Sequence, residues 1–379
     1  MVQAMKILMI GSFPPPIHGM SLANKVLLGN LKKEHSVFFL NTNTQKDLGN
    51  LNQQGKMSLK KVFTSAFQIF KGIFKILFSK RFDIVYITPA QSVNGYIKYI
   101  PFMWVAKLKK IPYVIHIHGG YFRTMYDQTN GWRRRLVDNS LNNLSGAIAL
   151  GNSLKYMFKG LIPEKKIFVC ENGIEDETFA TKAEIDRKIE KFKEDNTIRI
   201  VYLSNLMREK GILDLMKAVN TLKDKGKNVH LDVAGAIEPE IKTDVERYFK
   251  EFPNEITYHG IISGSPKKSL LLDNYIFCLP TYYHNEGQPI SILEAMACGC
   301  AIVTTDHGGI KDIAKKEFSV FVEKQNSDSI AQGIVDAYNN FEIFSFEAWK
   351  AAKDSYTSDQ FVNRVTEVLF ECSKSTVEK

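Results

Sequence analysis

Short apolar runs rich in β-branched residues alternate along the whole chain with longer amphipathic stretches, and this alternation constrains the fold most. Strands separated by helices form parallel sheets that helices cover. The runs that predict buried strands are 6–11, 36–40, 83–88, 113–118, 146–150 and 166–170 in the first half, and 199–203, 229–234, 255–258, 275–279, 301–304 and 320–322 in the second. These strands are too many to pack around a single hydrophobic core. We therefore predict an α/β chain with two doubly wound parallel sheets.

The boundary between the two predicted domains lies near 172–196. The strand pattern stops there, and the charged stretch 184–195 has few apolar residues, which predicts a solvated helix. Doubly wound domains bind ligands at the carboxyl ends of their strands. We therefore expect the functional residues in the loops that follow the strands.

Charge is divided unevenly between the two halves. Residues 1–180 carry 24 Lys and Arg against 10 Asp and Glu, whereas residues 181–379 carry 26 against 31. A basic half indicates an anionic partner, and nucleic acid, an acidic membrane surface and a phosphorylated substrate all fit.

Composition also indicates a compartment. The five cysteines are too few for a dense disulfide framework, which favours a reducing environment. The chain has neither a signal-peptide core nor a run of 18 uncharged apolar residues. We expect a cytoplasmic protein that can still lie on a membrane.

The most informative pattern is NEGQPISILEAMACG at 285–299. Glu286 lies in the loop after a predicted strand, Pro289 suits the first turn of a helix, and Gly299 suits its end. Glu294 then lies inside that helix. The N–H groups at the start of the helix would attract a phosphate.

On these residues the sequence resembles the retaining glycosyltransferases of family four. Their signature is two glutamates separated by seven residues in the frame E-G-x-P-x-x-x-L-E-A-M-A-x-G, and 286–299 matches it position by position. The resemblance extends over essentially the whole chain. It implies the GT-B fold, with two Rossmann-like domains facing across a cleft. Residues 1–175 would form the acceptor side, 176–358 would bind the donor, and a helix near 359–379 would pack back on the first domain.

The segment LSNLMREKG at 203–211 resembles the family pattern G-R-L-x-x-x-K-G, whose Arg and Lys hold the donor diphosphate. Lys210 and Gly211 match this pattern. Asn205 stands at the position of the family's Arg, which is a departure. Either Arg208 supplies the missing charge, or Lys210 and the helix start hold the diphosphate alone.

Two segments of the first half also resemble the family. The loop GSFPPPIHGM at 11–20 follows the first strand, and there Gly19 would let the backbone approach the donor phosphates. The loop lacks the G-x-G-x-x-G fingerprint, which argues against a dehydrogenase. In HIHGG at 116–120, His118 would touch the donor sugar from the cleft wall, whereas His116 would pack in the core. Residues 172–175 resemble the hinge into the second domain.

The resemblance assigns a role to each of these side chains. Glu286 would orient sugar hydroxyls, Glu294 would bind the ribose, and Lys210 would stabilise the diphosphate. The catalytic residues would be Glu286, His118 and Lys210. The donor-binding residues would be Gly19, Asn205, Arg208, Lys210, Gly287, Gln288, Pro289, Ile290 and Glu294.

We expect neither a metal nor another cofactor. The two histidines could chelate a metal, but no third ligand is evident, and the chain contains no Asp-x-Asp pair. Cys298 and Cys300 are interpreted as a buried helix end. Basic side chains and helix dipoles would then stabilise the leaving group.

The segment 57–81 has no acidic residue and combines a Phe-rich helical face with lysines. Core packing is one interpretation of this pattern, but contact with an anionic membrane is favoured. Nucleic acid is disfavoured as a partner, because no recognition motif accompanies the charge.

The resemblance, together with the basic amphipathic segment, implies a retaining, metal-independent glycosyltransferase (EC 2.4) on the inner face of the cell membrane. It would move a sugar from a UDP- or GDP-linked donor to a hydroxyl of a polyprenyl-diphosphate-linked saccharide in surface polysaccharide or glycan assembly. A nucleotide-sugar epimerase of the same fold and a non-catalytic sugar-nucleotide-binding protein are the alternatives.

Overall fold

The computed structural model describes residues 4–15, 19–43, 69–70, 72–78 and 81–374. The chain forms two compact units. The first unit comprises Met1–Gly173 and Ser358–Lys379, and the second comprises Ile174–Thr357. In the described part of the chain, each unit contains one six-stranded parallel sheet. Every predicted strand is present with ends shifted by at most one residue, which confirms the prediction of two doubly wound sheets.

The sheet of the first unit has the strand order β2-β1-β3-β4-β5-β6. Strand order therefore reverses between β1 and β3, which is where such sheets bind ligands. The strands are β1 Lys6–Gly11, β2 Ser36–Asn41, β3 Ile84–Ile87, β4 Tyr113–Ile117, β5 Gly146–Ala149 and β6 Ile167–Val169.

Helices cover this sheet, and their buried side chains form its core. The last helix of the unit, Ser358–Lys374 (α14), packs against Gly19–Glu34 (α1). The helices are α1 Gly19–Glu34, α2 Val93–Ile97, α3 Ile100–Leu108, α4 Phe122–Gln128, α5 Gly131–Asn142 and α14 Ser358–Lys374, with shorter 3₁₀ turns at Asn152–Phe158 and Glu164–Lys166.

The sheet of the second unit has the order β12-β11-β10-β7-β8-β9. Its order reverses between β7 and β10, the arrangement of dinucleotide-binding sheets. The strands are β7 Ile198–Leu203, β8 Val229–Ala234, β9 Ile256–Tyr258, β10 Ile276–Leu279, β11 Ala301–Thr304 and β12 Ser319–Phe321.

The helices of the second unit lie on the faces of this sheet. They are α6 Lys182–Glu194, α7 Ile212–Asp224, α8 Lys242–Glu251, α9 Ser265–Asp273, α10 Ile290–Ala297, α11 Ile310–Ile313, α12 Ser327–Asn339 and α13 Phe341–Ser355, with 3₁₀ turns at Asp176–Thr178, Arg208–Lys210 and Pro239–Ile241. Within the described residues, no helix has the length and apolar content needed to cross a bilayer.

The prediction of a solvated helix over 184–195 was wrong for one face of α6. The helix starts at a capping box in which Thr181 and Glu184 satisfy each other's backbone N–H groups. Ile185 and Lys188 are buried. The ammonium of Lys188 donates hydrogen bonds to the carbonyls of Leu271 and Cys298, both at 2.9 Å. A lysine can therefore face the core, because main-chain acceptors replace water around its charge.

The predicted lipid-facing segment 57–81 is only partly described. Residues 57–68, 71 and 79–80 lie outside the described residues, and 72–78 is helical. Ile76 is buried in the core of the first unit. Phe70, Phe74 and Phe78 are 67%, 53% and 71% exposed. Their spacing of four places all three on one helical face, outside the core.

Candidate functional site

Two of the predicted site residues lie on either side of the point where strand order reverses in the second unit. Lys210 follows β7, and Glu286 follows β10. The neighbouring strands β7 and β10 are paired in parallel. Their carboxyl ends therefore meet at one edge of the sheet, and the loops that follow them adjoin.

Lys210 and Glu286 form a buried ion pair. The Lys210 Nζ lies 2.6 Å from Glu286 Oε2, and the side chains are only 13% and 7% exposed. Thr281 Oγ1 donates a further hydrogen bond to the same oxygen at 2.9 Å. The Lys210 ammonium also lies over the ring of Tyr283, 4.9 Å from its centroid. The carboxylate is therefore held in one orientation by two donors.

A glycine makes the position of Lys210 possible. Gly211 has φ +75°, and a Cβ there would lie 2.3 Å from the carbonyl oxygen of Pro280. Any other residue would be strained in this conformation and would clash with the neighbouring loop. The same loops are joined where Tyr282 N donates to Glu209 O at 2.8 Å. Gly211 thus brings the lysine loop directly against the loop that leads to Glu286.

The loop around Glu286 is braced from the other side by the residues that follow β11. Gly308 has φ +54°, and a Cβ there would lie 2.4 Å from the Glu286 carbonyl oxygen. Gly309 N donates to Gly287 O at 2.9 Å. The His307 ring lies with Nε2 2.8 Å from Tyr283 O. Residues 286–290 are all buried, so this loop is a fixed part of the unit.

The helix after this loop begins one residue later than predicted. Pro289 is the N-cap of α10, and the first helical residue is Ile290. A proline is tolerated there because its missing N–H has no helical acceptor. Gly299, at φ +64°, ends the helix in the left-handed conformation. Glu294 lies inside the helix as predicted.

Glu294 has a partner that the sequence analysis missed. Lys267 Nζ lies 2.5 Å from Glu294 Oε1, and the side chains are 14% and 7% exposed. Burial raises the pKa of Glu294, and the charge of Lys267 opposes that rise. A signal was present in the sequence, because Lys267 falls in the first turn of α9. A cation is unfavourable at a helix N-terminus unless an acid compensates it.

Arg208 and Asn205 make no ion pair or hydrogen bond with the side chains of the two buried ion pairs described above. Arg208 is half exposed, and its guanidinium lies 3.4 Å from Asp244 and 3.8 Å from Glu240. Asn205 is exposed, and its carbonyl accepts hydrogen bonds from Tyr202 Oη and Met207 N, both at 3.0 Å. The substitution of Arg208 for the family's arginine stays a prediction.

The predicted residues of the first unit lie in the loops after β1 and β4. Gly19 is the exposed first residue of α1, and 16–18 are outside the described residues. His116 is fully buried, with Nδ1 2.7 Å from Tyr86 Oη, so it is a core residue. Burial and the neighbouring His118 lower its pKa well below the usual histidine value. His118 is half-buried, and its ring centroid lies 4.1 Å from that of His116.

Cys298 and Cys300 lie at the buried end of α10. Cys298 Sγ donates to Thr178 O at 3.3 Å, and Cys300 Sγ donates to Leu271 O at 3.2 Å. Burial raises the pKa of the Cys298 thiol to about 12. Both cysteines therefore pack as neutral thiols, in agreement with their interpretation as a buried helix end.

Most of the second unit matches a known family. Residues 182–343 match the family model described as "Glycosyl transferases group 1". CapM of Staphylococcus aureus, a capsular polysaccharide biosynthesis glycosyltransferase, is 30% identical over 203 residues, 51% of this chain and 52% of CapM. The N,N'-diacetylbacillosaminyl-diphospho-undecaprenol alpha-1,3-N-acetylgalactosaminyltransferase of Campylobacter jejuni is 28% identical over 270 residues, 67% of this chain and 69% of that enzyme. Across eight curated relatives, the aligned regions cover between 33% and 69% of the relatives' own lengths. These matches bear out the resemblance to glycosyltransferases.

The solved structures show the fold. Alr3699/HepE of Anabaena, crystallised in complex with UDP, superimposes with a TM-score of 0.73 at 15% sequence identity, covering 97% of this chain and 100% of that one. A likeness at this identity concerns the fold alone, which is GT-B. It confirms the fold class predicted from the sequence.

Proposed function

We propose that this chain is a retaining glycosyltransferase of family four, acting in polysaccharide assembly, and that its second unit binds a UDP- or GDP-linked sugar. The observation that carries the proposal is the buried Lys210–Glu286 pair at the reversal of strand order. The segment that matches glycosyl transferases group 1 contains Lys210, Glu286 and Glu294. A cation beside one carboxylate, with a second carboxylate in the helix that follows, suits a ligand that has a diphosphate next to hydroxyl-bearing sugars.

Lys210 would act on the leaving group. As the bond from the sugar carbon to the diphosphate oxygen breaks, its electron pair passes to the diphosphate, where the ammonium stabilises the new charge. Glu286, now sharing Lys210 with phosphate oxygens, would accept hydrogen bonds from sugar hydroxyls. Glu294 would accept hydrogen bonds from the ribose.

The acceptor hydroxyl would attack from the face that the diphosphate leaves, within a short-lived ion pair. The new carbon–oxygen bond then keeps the original configuration, and the hydroxyl proton passes to the departing phosphate. We assign no carboxylate nucleophile and no metal ion. The roles of His118, Gly19, Asn205 and Arg208 stay part of the proposal, as do those of Gly287, Gln288, Pro289 and Ile290.

The proposed acceptor is a polyprenyl-diphosphate-linked saccharide at the inner face of the cell membrane. The name of the Campylobacter jejuni relative includes a diphospho-undecaprenol acceptor, which supports a lipid-linked substrate. The exposed Phe70, Phe74 and Phe78 support membrane contact through 57–81. Replacing Lys60, Lys61, Lys71 and Lys75 with Gln should weaken binding to anionic liposomes, and unchanged binding would remove this segment as a membrane contact.

The experiment is a screen of UDP-, GDP- and ADP-sugars for donor cleavage. We expect one donor to be hydrolysed slowly without an acceptor, first releasing the sugar in the donor's own configuration, with full activity in EDTA. Lys210→Met, Glu286→Ala and Glu294→Ala should each reduce the rate at least about a hundredfold. The surface variants Glu190→Ala and Lys225→Met serve as matched controls.

Product analysis separates the alternatives. An isomeric nucleotide-sugar as the product would indicate an epimerase instead. Binding of a donor without any turnover, with or without acceptors, would indicate a non-catalytic binding protein. Normal rates in all three site variants would refute the site, and inactivation by EDTA reversed by a divalent metal would refute metal independence.

A further inference from the structure

Two neighbouring helices of the first unit expose large apolar side chains on their outer faces. In α3, Trp104 is 42% exposed and Leu108 is 76% exposed, and in α5, Trp132 is 63% exposed. The spacing of Trp104 and Leu108 places them on one face of α3. The two helices pack against each other, and Trp104 Nε1 donates to Asn139 Oδ1 of α5 at 3.1 Å. We call Trp104, Leu108 and Trp132 the tryptophan surface.

This surface is surrounded by basic residues. The segments 100–110 and 131–142 together contain six Lys and Arg and a single acid, Asp138. Asp138 is already engaged, because Tyr126 Oη donates to it at 2.7 Å and Arg134 Nε at 3.3 Å. The basic residues exposed around the surface are Lys107, Lys109, Lys110, Arg133 and Arg135.

The same side of the sheet contains the exposed phenylalanines. The helical segment 72–78 packs close to α3, because a Cβ on Gly72 would lie 2.5 Å from the ring of Phe102. Ile76 and Phe102 belong to one core cluster. The outward side chains of α3 therefore lie on the same side of the sheet as Phe70, Phe74 and Phe78.

We propose that the tryptophan surface is a second membrane contact, which inserts Trp104, Leu108 and Trp132 into the interface of an anionic bilayer. The inference extends the proposed membrane association but does not depend on 57–81 or on catalysis. Tryptophan rings favour the boundary between headgroups and acyl chains, and surrounding cations attract anionic lipids. Two contacts on one side would also fix the orientation of the first unit on the membrane.

Charge favours a bilayer over other occupants. A symmetric contact between two copies would place the basic surface against itself, which is repulsive. A single-stranded nucleic acid would use the tryptophans and cations, but it offers no partner for the aliphatic Leu108. An anionic bilayer satisfies the aromatic, aliphatic and basic side chains together.

Tryptophan fluorescence tests the inference, because the chain has only three tryptophans. Trp349 is in the second unit, is 7% exposed and donates to Ala180 O at 2.8 Å, so it serves as an internal reference. The probe is vesicles of phosphatidylcholine with about one third phosphatidylglycerol, with and without brominated acyl chains. We expect a blue shift and quenching of Trp104 and Trp132, and weak effects with phosphatidylcholine alone.

Variants assign the signal. Trp104→Phe with Trp132→Phe should abolish the quenching, leaving the emission of Trp349. A variant with Gln at the five exposed basic positions should bind vesicles at least about tenfold more weakly. A second variant, with Gln at Lys60, Lys61, Lys71 and Lys75, should retain quenching of the tryptophan fluorescence at saturating vesicle concentrations. Thermal stabilisation of each variant by the donor measures the proposed catalytic site separately.

Three results would overturn the inference. The first is vesicle binding without quenching of Trp104 and Trp132. The second is a concentration-dependent dimer in solution that the two Trp→Phe changes dissolve. The third is tight binding of a single-stranded RNA that protects both tryptophans while vesicles do not.

Discussion

Replacing Lys267 with Met should destabilise the protein, because it leaves the buried Glu294 carboxylate without a compensating charge. The pair is 2.5 Å apart, with both side chains more than four-fifths buried. Removing one partner of a buried pair leaves an uncompensated charge and lowers the free energy of unfolding by about 3 kcal/mol. For a unit of this size, that corresponds to roughly 6–12 °C in Tm. Lys191→Met is the matched control, because its partner Asp273 is at the surface and the pair is worth at most about 1 kcal/mol.

The pH dependence of this loss has a definite sign. Burial raises the pKa of Glu294 even beside Lys267, and without the lysine that pKa rises further. A carboxyl whose folded pKa is raised stabilises the protein at low pH, and this contribution is lost as the pH rises from the unfolded pKa through the folded one. The decrease in the free energy of unfolding caused by Lys267→Met should therefore be small near pH 5 and reach its full size near pH 8.

Thermal and urea unfolding at pH 5 and pH 8 measure both effects. Lys267→Arg should restore most of the stability at pH 8, since it keeps the charge. A loss in Lys267→Met that equals the loss in Lys191→Met, or one that is the same at both pH values, would refute the reasoning. A small loss at both pH values would mean that Glu294 is neutral with or without the lysine.

The remaining predictions concern the backbone, the diphosphate and acid stability. Gly211→Ala should move the lysine loop away from Pro280 and lower the rate of donor cleavage at least about tenfold. The far-UV circular dichroism should be unchanged. Full activity would contradict the claim that position 211 requires glycine. Arg208→Ala should raise KM for the donor severalfold if Arg208 replaces the family's arginine, and an unchanged KM would leave Lys210 and the helix start as the diphosphate site. Burial raises the pKa of Asp195, but hydrogen bonds from Arg199, Thr197 and Tyr275 outweigh that effect and lower it to about 2. Its contribution to stability should be present above about pH 4 and be lost toward pH 2, so Asp195→Asn should flatten the acid limb of the stability curve; an unchanged limb would contradict the assignment.

The strands could be predicted because their signal is local. Runs such as Ile276–Leu279 are apolar on both faces, as a covered parallel sheet requires, and turn residues bound them. The positions of Glu286 and Glu294 relative to the helix also follow from proline and glycine signals nearby in the sequence.

The partners in the ion pairs could not be predicted, since they lie far apart in the chain. Lys210 meets Glu286 across 76 positions, and Lys267 meets Glu294 across 27. Nothing local tells which lysine of Lys267 and Lys268 turns toward Glu294, and Lys268 instead donates to Phe179 O at 2.7 Å. The tertiary structure decides between them, since it places Lys267 against Glu294 and Lys268 against the carbonyl of Phe179.

The lysine that α6 buries illustrates the same limit. A charged stretch predicts solvent exposure on average. One lysine is nevertheless buried here, because three hydrogen-bond acceptors surround its ammonium group. Lys188 has two carbonyls at 2.9 Å and the sulfur of Cys300 at 3.3 Å. Acceptors supplied by distant segments cannot be read from the helix itself.

The central claim is that Lys210, Glu286 and Glu294 bind a nucleoside diphosphate sugar in the second unit. Calorimetric titration of UDP, GDP and ADP into the wild type, Lys210→Met and the control Lys225→Met tests it most directly. We predict that one nucleotide binds the wild type and the control with equal affinity and binds Lys210→Met at least about tenfold more weakly, in line with the loss of a charge-assisted contact. Equal affinity in all three proteins, or no binding of any nucleotide to the wild type, would contradict the claim.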